Sequence, residues 1–320
     1  MAKPKRLRKF VGLLKDKMSL FKATLLLAAP RTSSLHVAVL RATSHNPSHA
    51  PPNETVDDVL ALGRPAAGAL VHALLHRVHH TSNAYVALKC LLTIHHLISR
   101  GSHVINDQIV CLSRDGPLFG LSTFRDQSDD DTWELSNWVR WYAVVLDQNI
   151  SLQSKNSISL NFFIIFLEKI CGAPESLHYQ KISLIYEVMK LIVEDYRLIM
   201  REIQGKVEEF STKIDEFSDE SLNKFLGDLK RIENCKEKLL LMFLNKKKND
   251  GFWELIEKVV KNVEEIKQQR ESMKMVNFRG SESTRPSQVD ESRSIVVASV
   301  PRVKRWLDVE WNKLVVSSTA

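Results

Sequence analysis

Apolar residues recur three and four apart along most of this chain, and few stretches alternate apolar with polar. The pattern therefore predicts helices throughout. Residues 10–28 (FVGLLKDKMSLFKATLLLA) set Phe10, Leu13, Leu14, Met18, Phe21 and Leu25 toward one side of a helix and Lys15, Lys17 and Lys22 elsewhere. A second helix is expected from about Ser34 to His45, ended by Pro47, Pro51 and Pro52, which lack an amide hydrogen and push their predecessors out of the helical region. Thr55, three residues before Asp58, reads as the N-cap of a short helix to Leu62, and another runs from Arg64 to His79. Asn83–Arg100 is apolar nearly all round, which predicts a helix packed on several sides and closed by Gly101. Asp131 and Glu134 read as a capping box opening a helix to about Asn149. Its Trp133, Trp138, Trp141 and Tyr142 are expected to wedge it between neighbours rather than to form a ligand box.

Four further helical segments follow, roughly Ser159–Cys171, Tyr179–Phe210, Ser218–Leu244 and Phe252–Met275. Long helices joined by short loops stack as a bundle or a solenoid, and no consensus repeat recurs at a fixed period. The chain thus divides into a basic N-terminal arm (1–9), a helical body (10–275), a Ser-, Arg- and Glu-rich linker (276–295) and a short C-terminal tail (296–320). The tail's Trp306 and Trp311 suit an amphipathic helix.

Composition agrees with an all-α reading: 320 residues are 44% apolar, with only 11 Gly and 10 Pro, enough for one large core or two modest ones. No run approaches the roughly 18 uninterrupted apolar residues of a membrane span. Lys22 breaks the apolar stretch after the basic N-terminus, so no secretory signal is expected. Cys90, Cys111, Cys171 and Cys235 are scattered without CxxC spacing and read as thiols of a cytosolic protein. His72, His76, His79, His80, His95 and His96 cluster, and His72 with His76 makes a possible two-ligand face. No HExxH or carboxylate motif accompanies them, so packed or surface imidazoles are the expectation.

Charge changes the picture more than composition does. The net charge is +7, yet ten of the bases precede Glu54, including Lys15, Lys17 and Arg41, against the single acid Asp16. A basic end on a near-neutral body suits a polyanionic surface, an anionic leaflet or a nucleic acid. Nucleic acid is disfavoured, because no aromatic–basic interleaving supports it. No nucleophile elbow, phosphate-binding glycine loop or dinucleotide fingerprint is present, so neither an enzyme nor a cofactor is expected. Asp126, Asp129, Asp130 and Asp131 precede a helix and read as caps favoured by its dipole.

Three blocks then carry a resemblance: LHVAVLRATSHNPSHAPP (35–52), AYVALKCLLTIHHLISRG (84–101) and FGLSTFRDQSDDDTWELSNWVRWYAVVLD (119–147). In order and spacing they resemble the ANTH domain of clathrin assembly proteins, the plant-type members above all. The resemblance implies an ANTH/ENTH-like right-handed superhelix of about nine to ten helices. It implies a peripheral membrane adaptor of clathrin-mediated endocytosis that grips a phosphatidylinositol 4,5-bisphosphate headgroup. Implied partners are a phosphoinositide-containing membrane, clathrin heavy chain, coat adaptors and vesicle SNAREs. The implied location is cytoplasmic, peripheral on coated pits and vesicles, plasma membrane and Golgi.

The family signature is a Lys, nine intervening residues, then Lys-x-(Lys/Arg)-(His/Tyr). Arg41 fills the first place and His45 matches the ATSH run, but the second half falls on Pro51, Asn53 and Glu54. The bases are gone and a carboxylate has arrived, so the implied site is degenerate. Lys15, Lys17, Arg41 and His45 are the residues expected to meet the headgroup. Residues 276–320 contain no DLL, DPF or NPF tripeptide, which weakens the implied recruitment of clathrin and adaptors. The alternative function is a helical module that binds SNAREs or other trafficking partners with little lipid selectivity.

Overall fold

The computed structural model describes residues 5–26, 30–46, 49–153, 159–175, 182–243 and 250–280. Every regular element among them is helical. In chain order they are α1 (Lys5–Leu26), α2 (Pro30–Ala42), α3 (Asn53–Gly63), α4 (Ala67–His80), α5 (Ala84–Arg100), α6 (His103–Leu112), α7 (Asp130–Gln153), α8 (Leu160–Cys171), α9 (Ser183–Thr212), α10 (Asp219–Phe243) and α11 (Asp250–Gly280). Residues 1–4 of the expected arm, and the linker and tail from residue 281 onward, lie outside the described residues. Met1–Glu271 form one compact unit, and the end of α11 falls in a second unit, Ser272–Ala320.

Helices pack on sequence neighbours and next-but-one neighbours: α1 on α2, α2 on α3 and α4, α4 on α5, α5 on α7, α7 on α8, and α8 on both α9 and α10. Such a ladder is the stacking that the family resemblance implied, and one contiguous core runs from Leu35 to Val263. Helix α5 is its axle. Val86, Leu88, Cys90, Leu91, Leu92, Ile94 and Leu97 are all buried, because α4, α6, α7 and α9 surround it. By length and composition the run Asn53–His80 could cross a membrane. It is interrupted by a 3-10 turn at Arg64–Ala66 and turns Val59, Leu70, Val71, Leu74 and Val78 into the core.

Several boundaries differ from the sequence expectation for local reasons. Helix α3 begins at Asn53 behind Pro52, whose fixed φ suits a helix entry, so Thr55 lies inside the helix rather than capping it. Helix α7 is capped by Asp129 and not by an Asp131–Glu134 box: Thr132 N–H donates to Asp129 Oδ1 at 2.7 Å while Asp129 N–H donates to Thr132 Oγ1 at 3.1 Å. Gly101 closes α5 at φ −69°, outside the left-handed region. Glycine is required there because a Cβ would lie 2.1 Å from the Leu97 carbonyl oxygen. Helix α6 was not announced by its pattern, since Asn106, Asp107 and Gln108 interrupt its short apolar run.

The resemblance blocks turn out to be bonded to one another. Asp126 of the FRD run accepts the Ala84 amide at 2.9 Å and so caps α5, and its own amide donates to Ser136 of α7 at 2.8 Å. Arg140 reaches back to the Phe124 carbonyl at 2.7 Å. Trp138 and Tyr142 are fully buried and Trp141 nearly so, with its Nε1–H donating to the Lys169 carbonyl at 2.9 Å. Trp133 alone of these rings is exposed, under the Arg125 guanidinium at 5.3 Å.

A buried polar set ties three helices at the axle. His95 of α5 has Nδ1 2.9 Å from the Tyr142 hydroxyl of α7, and its Nε2 faces Asp195 Oδ2 of α9 at 3.1 Å. The same oxygen accepts from Asn149 Nδ2 at 2.8 Å. The His95 Nε2–Asp195 approach is close without hydrogen-bond geometry, so the hydrogen bonds of this set are those between His95 Nδ1 and the Tyr142 hydroxyl and from Asn149 to Asp195. Burial, reinforced by the Asp195 charge, pushes the Tyr142 phenol well above its ordinary pKa, which keeps it a donor. Asp195→Ala strands the buried donor on Asn149 and removes the carboxylate that faces His95. Urea denaturation of this variant is expected to show a loss of about 2–4 kcal/mol, and a loss below about 0.5 kcal/mol would mean the set is incidental.

A candidate anion-facing site at the N-terminal helices

Three groups hold the turn after α2 in place. Lys89 of α5, its aliphatic stem buried, donates through Nζ to the Ser44 carbonyl at 3.1 Å and the Asn46 carbonyl at 2.7 Å. Burial drives its ammonium down to about 8, so it is still charged at neutral pH. Arg77 of α4 donates to the Thr43 carbonyl at 2.8 Å, and the Thr43 hydroxyl closes on the Val39 carbonyl at 2.6 Å. A turn whose carbonyls point at the body needs such donors, since unpaired buried carbonyls are costly.

Helix α1 is fastened to this turn. Asp16 accepts the His45 amide at 2.7 Å on one oxygen and the His45 Nδ1–H at 2.6 Å on the other, with Arg77 Nη2 3.6 Å away. Burial works against ionisation of Asp16. The hydrogen bonds from His45 and the nearby Arg77 guanidinium outweigh it and hold the carboxyl below its ordinary range. Gly12, one turn earlier, lets the backbone approach, because a Cβ there would be 2.9 Å from His45 Cβ.

The docked side of α1 is therefore the side carrying Gly12 and Asp16, and the strongly apolar side is left outside. Phe10, Leu13, Leu14, Met18 and Phe21 are all exposed, Phe10 by 65% and Phe21 by 61%. At 100° per residue, Phe10, Leu14, Lys17 and Phe21 share about one-sixth of the helix circumference. Both Lys15 and Lys17 are exposed; Lys17 shares that sector, whereas Lys15 lies about 100° round the helix from it, toward Gly12.

The residues expected at a headgroup divide into two pairs. Lys15 and His45 line one groove of about 990 Å³ between α1, α2 and α4, together with His36, His76, Arg77 and His80. Lys17 and Arg41 are exposed but are not among its lining residues. Arg41 sits in the last turn of α2, while Asn53 and Glu54 lie exposed in the first turn of α3. His45 carries more than its sequence position suggested, since its ring is an anchor for α1. Asp16, Arg77 and Lys89 were missed, and the sequence signal for them is slight: Asp16 is the lone acid among ten bases, and Lys89 the one charge inside an apolar helix.

An ANTH domain family model matches residues 34–239. The chain belongs to the ANTH domain family. Among curated proteins it is similar to three from Arabidopsis thaliana. Putative clathrin assembly protein At4g40080 is 39% identical over 161 residues, 48% of this chain and 43% of the relative. Putative clathrin assembly protein At5g10410 is 35% identical over 141 residues, 43% of this chain and 40% of the relative. Putative clathrin assembly protein At2g01600 is 32% identical over 149 residues, 45% of this chain and 25% of the relative. The chain thus spans less than half the length of each of these relatives. The family match begins at α2, so α1 and its docking at Asp16 precede the matched part of this ANTH domain.

Two changes test the docking. Gly12→Val should lift α1 from the His45 turn, read as faster amide exchange over residues 10–21, with α5 exchange unchanged. For Asp16 the folded pKa lies below the unfolded value, so its contribution is present above the ordinary carboxylate range and is lost as pH falls through it. Docking should therefore loosen on acidification below about pH 4, and Asp16→Asn should abolish that pH step. An α1 protection factor, corrected for intrinsic exchange, that stays constant through the acid range until the whole chain unfolds would contradict the assignment.

Proposed function

We propose that this ANTH protein is a peripheral membrane adaptor in clathrin coat assembly, and that α1, rather than the family's lysine signature, makes the main contact with the anionic leaflet. The observation that carries the reading is the exposed stripe Phe10, Leu14 and Phe21 with Lys17 among them, on a helix whose opposite side is fastened to the body. A helix of this kind lies in the lipid interface, its apolar side among acyl chains and its lysines among headgroups. Relatives named as clathrin assembly proteins support the coat setting.

The signature positions support a loss of stereospecific headgroup recognition. Arg41 keeps a charge, but Glu54 presents a carboxylate where the family places a donor. Binding is then governed by charge density and apolar insertion, with little preference for bisphosphorylated over other anionic lipids. The partners such an adaptor would bridge are clathrin heavy chain, coat adaptors and vesicle SNAREs, on the cytosolic side of coated pits, plasma membrane or Golgi.

Vesicle sedimentation tests this. Phe10→Ser with Phe21→Ser removes two anchors, each worth about 1.5 kcal/mol or more if fully inserted, and should weaken binding at least tenfold. Lys15→Glu with Lys17→Glu should weaken it comparably at low salt and far less at high salt. Undiminished binding by the serine pair would overturn the α1-led reading. Separately, Pro51→Lys, Asn53→Lys and Glu54→His together should create preference for phosphatidylinositol 4,5-bisphosphate over phosphatidylserine. A parent chain that already shows strong, salt-resistant preference would contradict the degenerate site.

A further inference from the structure

We propose that the solvent-facing strip of α7, together with Arg125 from the loop before it, is a docking surface for an acidic linear peptide that carries an apolar side chain beside its carboxylates. The surface shares no residue with the α1 lipid contact. Helix α7 is packed round most of its circumference, with Leu135, Trp138, Val139, Tyr142, Val145 and Leu146 all buried. At 100° per residue, Trp133, Asn137, Arg140 and Val144 fall within about 60° of one another and make up the strip that faces outward. Trp133 keeps 46% of its surface exposed although the Arg125 guanidinium lies over its ring at 5.3 Å, and Val144 is exposed two turns further on. The other tryptophans of this helix, Trp138 and Trp141, are buried, so the exposed indole is not a consequence of crowding by large rings alone.

The two arginines are held ready for an anion. Arg140 donates to the Phe124 carbonyl at 2.7 Å and to the Asn137 side-chain oxygen, and Arg125 stacks on Trp133. None of these partners is a carboxylate, so none neutralises either guanidinium. Partial burial lowers the Arg140 pKa, and the neighbouring Arg125 charge lowers it further. An anion beside the pair relieves the repulsion between them. Acids close by in sequence have other work. Asp126 accepts the amides of Ala84 and Ser128, Asp129 accepts that of Thr132, and Asp130 and Asp131 lie in the first turn of α7, where the helix dipole favours them.

The scaffold under the strip is fixed before any partner arrives. The Leu118 amide donates to Asp147 Oδ1 at 2.8 Å and the Asp126 amide to Ser136 Oγ at 2.8 Å, which pins the loop at both sides of Arg125. A preorganised surface loses little freedom on binding. The partner chemistry follows from what is displayed. Planar guanidinium groups take carboxylates in paired hydrogen bonds, and exposed tryptophan with arginine is the combination that anchors protein contacts. A compact phosphate would satisfy the two charges and leave the indole and Val144 uncovered. Two acidic side chains with an aromatic or aliphatic one between them satisfy both.

Fluorescence anisotropy of the full chain with a labelled synthetic peptide tests this, its core Asp-Phe-Glu flanked by Gly and Ser. Two further peptides, with cores Asn-Phe-Gln and Asp-Gly-Glu, remove the charges and the ring in turn. The acidic aromatic peptide should bind saturably at low salt and more weakly at high salt. Arg125→Ala with Trp133→Ala should weaken it at least about tenfold, as for the loss of a hot-spot pair, with thermal stability unchanged. Arg140→Lys, which keeps the charge and loses the fork, should weaken it as well, while Arg114→Ala on the exposed turn after α6 should behave as the parent chain. The serine pair in α1 should leave peptide binding intact. Absence of saturable binding at low salt, equal binding of either control peptide, or binding that survives the Arg125 and Trp133 changes overturns the proposal. So does a loss of anionic-vesicle sedimentation on those two changes without a loss of peptide binding, which would make the strip a lipid contact.

Discussion

The carbonyl oxygens of Thr43, Ser44 and Asn46 lie against the body of the protein and must find donors there. Arg77 and Lys89 supply them, from two different helices. Placing an ammonium in a core helix is expensive, which its pKa of about 8 records, and the cost is tolerated because the charge is saturated by the turn it holds. Everything at the N-terminal end depends on that turn. It presents His45 to Asp16, His45 fastens α1, and the fastening decides which side of α1 meets solvent.

Arg41 ends α2, whereas Pro51, Asn53 and Glu54 open α3. At a helix start, Glu54 interacts well with the dipole and Pro52 suits the entry, so these residues stabilise the helix in the place where lysines would have met phosphate. Local helix stability and headgroup recognition ask for opposite charges at this position. The cationic side chains Lys15 and Arg77 and the imidazoles of His36, His45, His76 and His80 are gathered by α1, α2 and α4.

The blocks by which the family is recognised are mainly structural. Ala84, Asp126 and Ser136 form one hydrogen-bonded chain across the second and third blocks, Arg140 closes it on Phe124, and Lys89 ties the second block to the first. The acidic run before α7 was legible as caps, since short carboxylates before an apolar period have few other uses, although the operative cap is Asp129 rather than Asp131. The metal-like histidine cluster dissolves into separate roles. His95 is in the core, His79 bonds the Phe119 carbonyl, and His76 and His80 stack at the groove.

The sequence by itself determined most of the helices, though not α6, the family and the departure from the lysine signature, because each is written in local periodicity or in residue identity at fixed spacing, while the pattern alone left bundle or solenoid open. It could not say which side of α1 faces out. Periodicity marks an apolar side and, read alone, would turn it to the core. Only the tertiary structure showed Gly12 and Asp16 docked and Phe10 and Phe21 exposed, because the partner that chooses the side, His45, lies 29 residues away and reaches Asp16 through a turn built by two further helices. The same holds for the groove. Lys15, His36, His76 and His80 are unremarkable in a row of letters, and packing alone makes them neighbours.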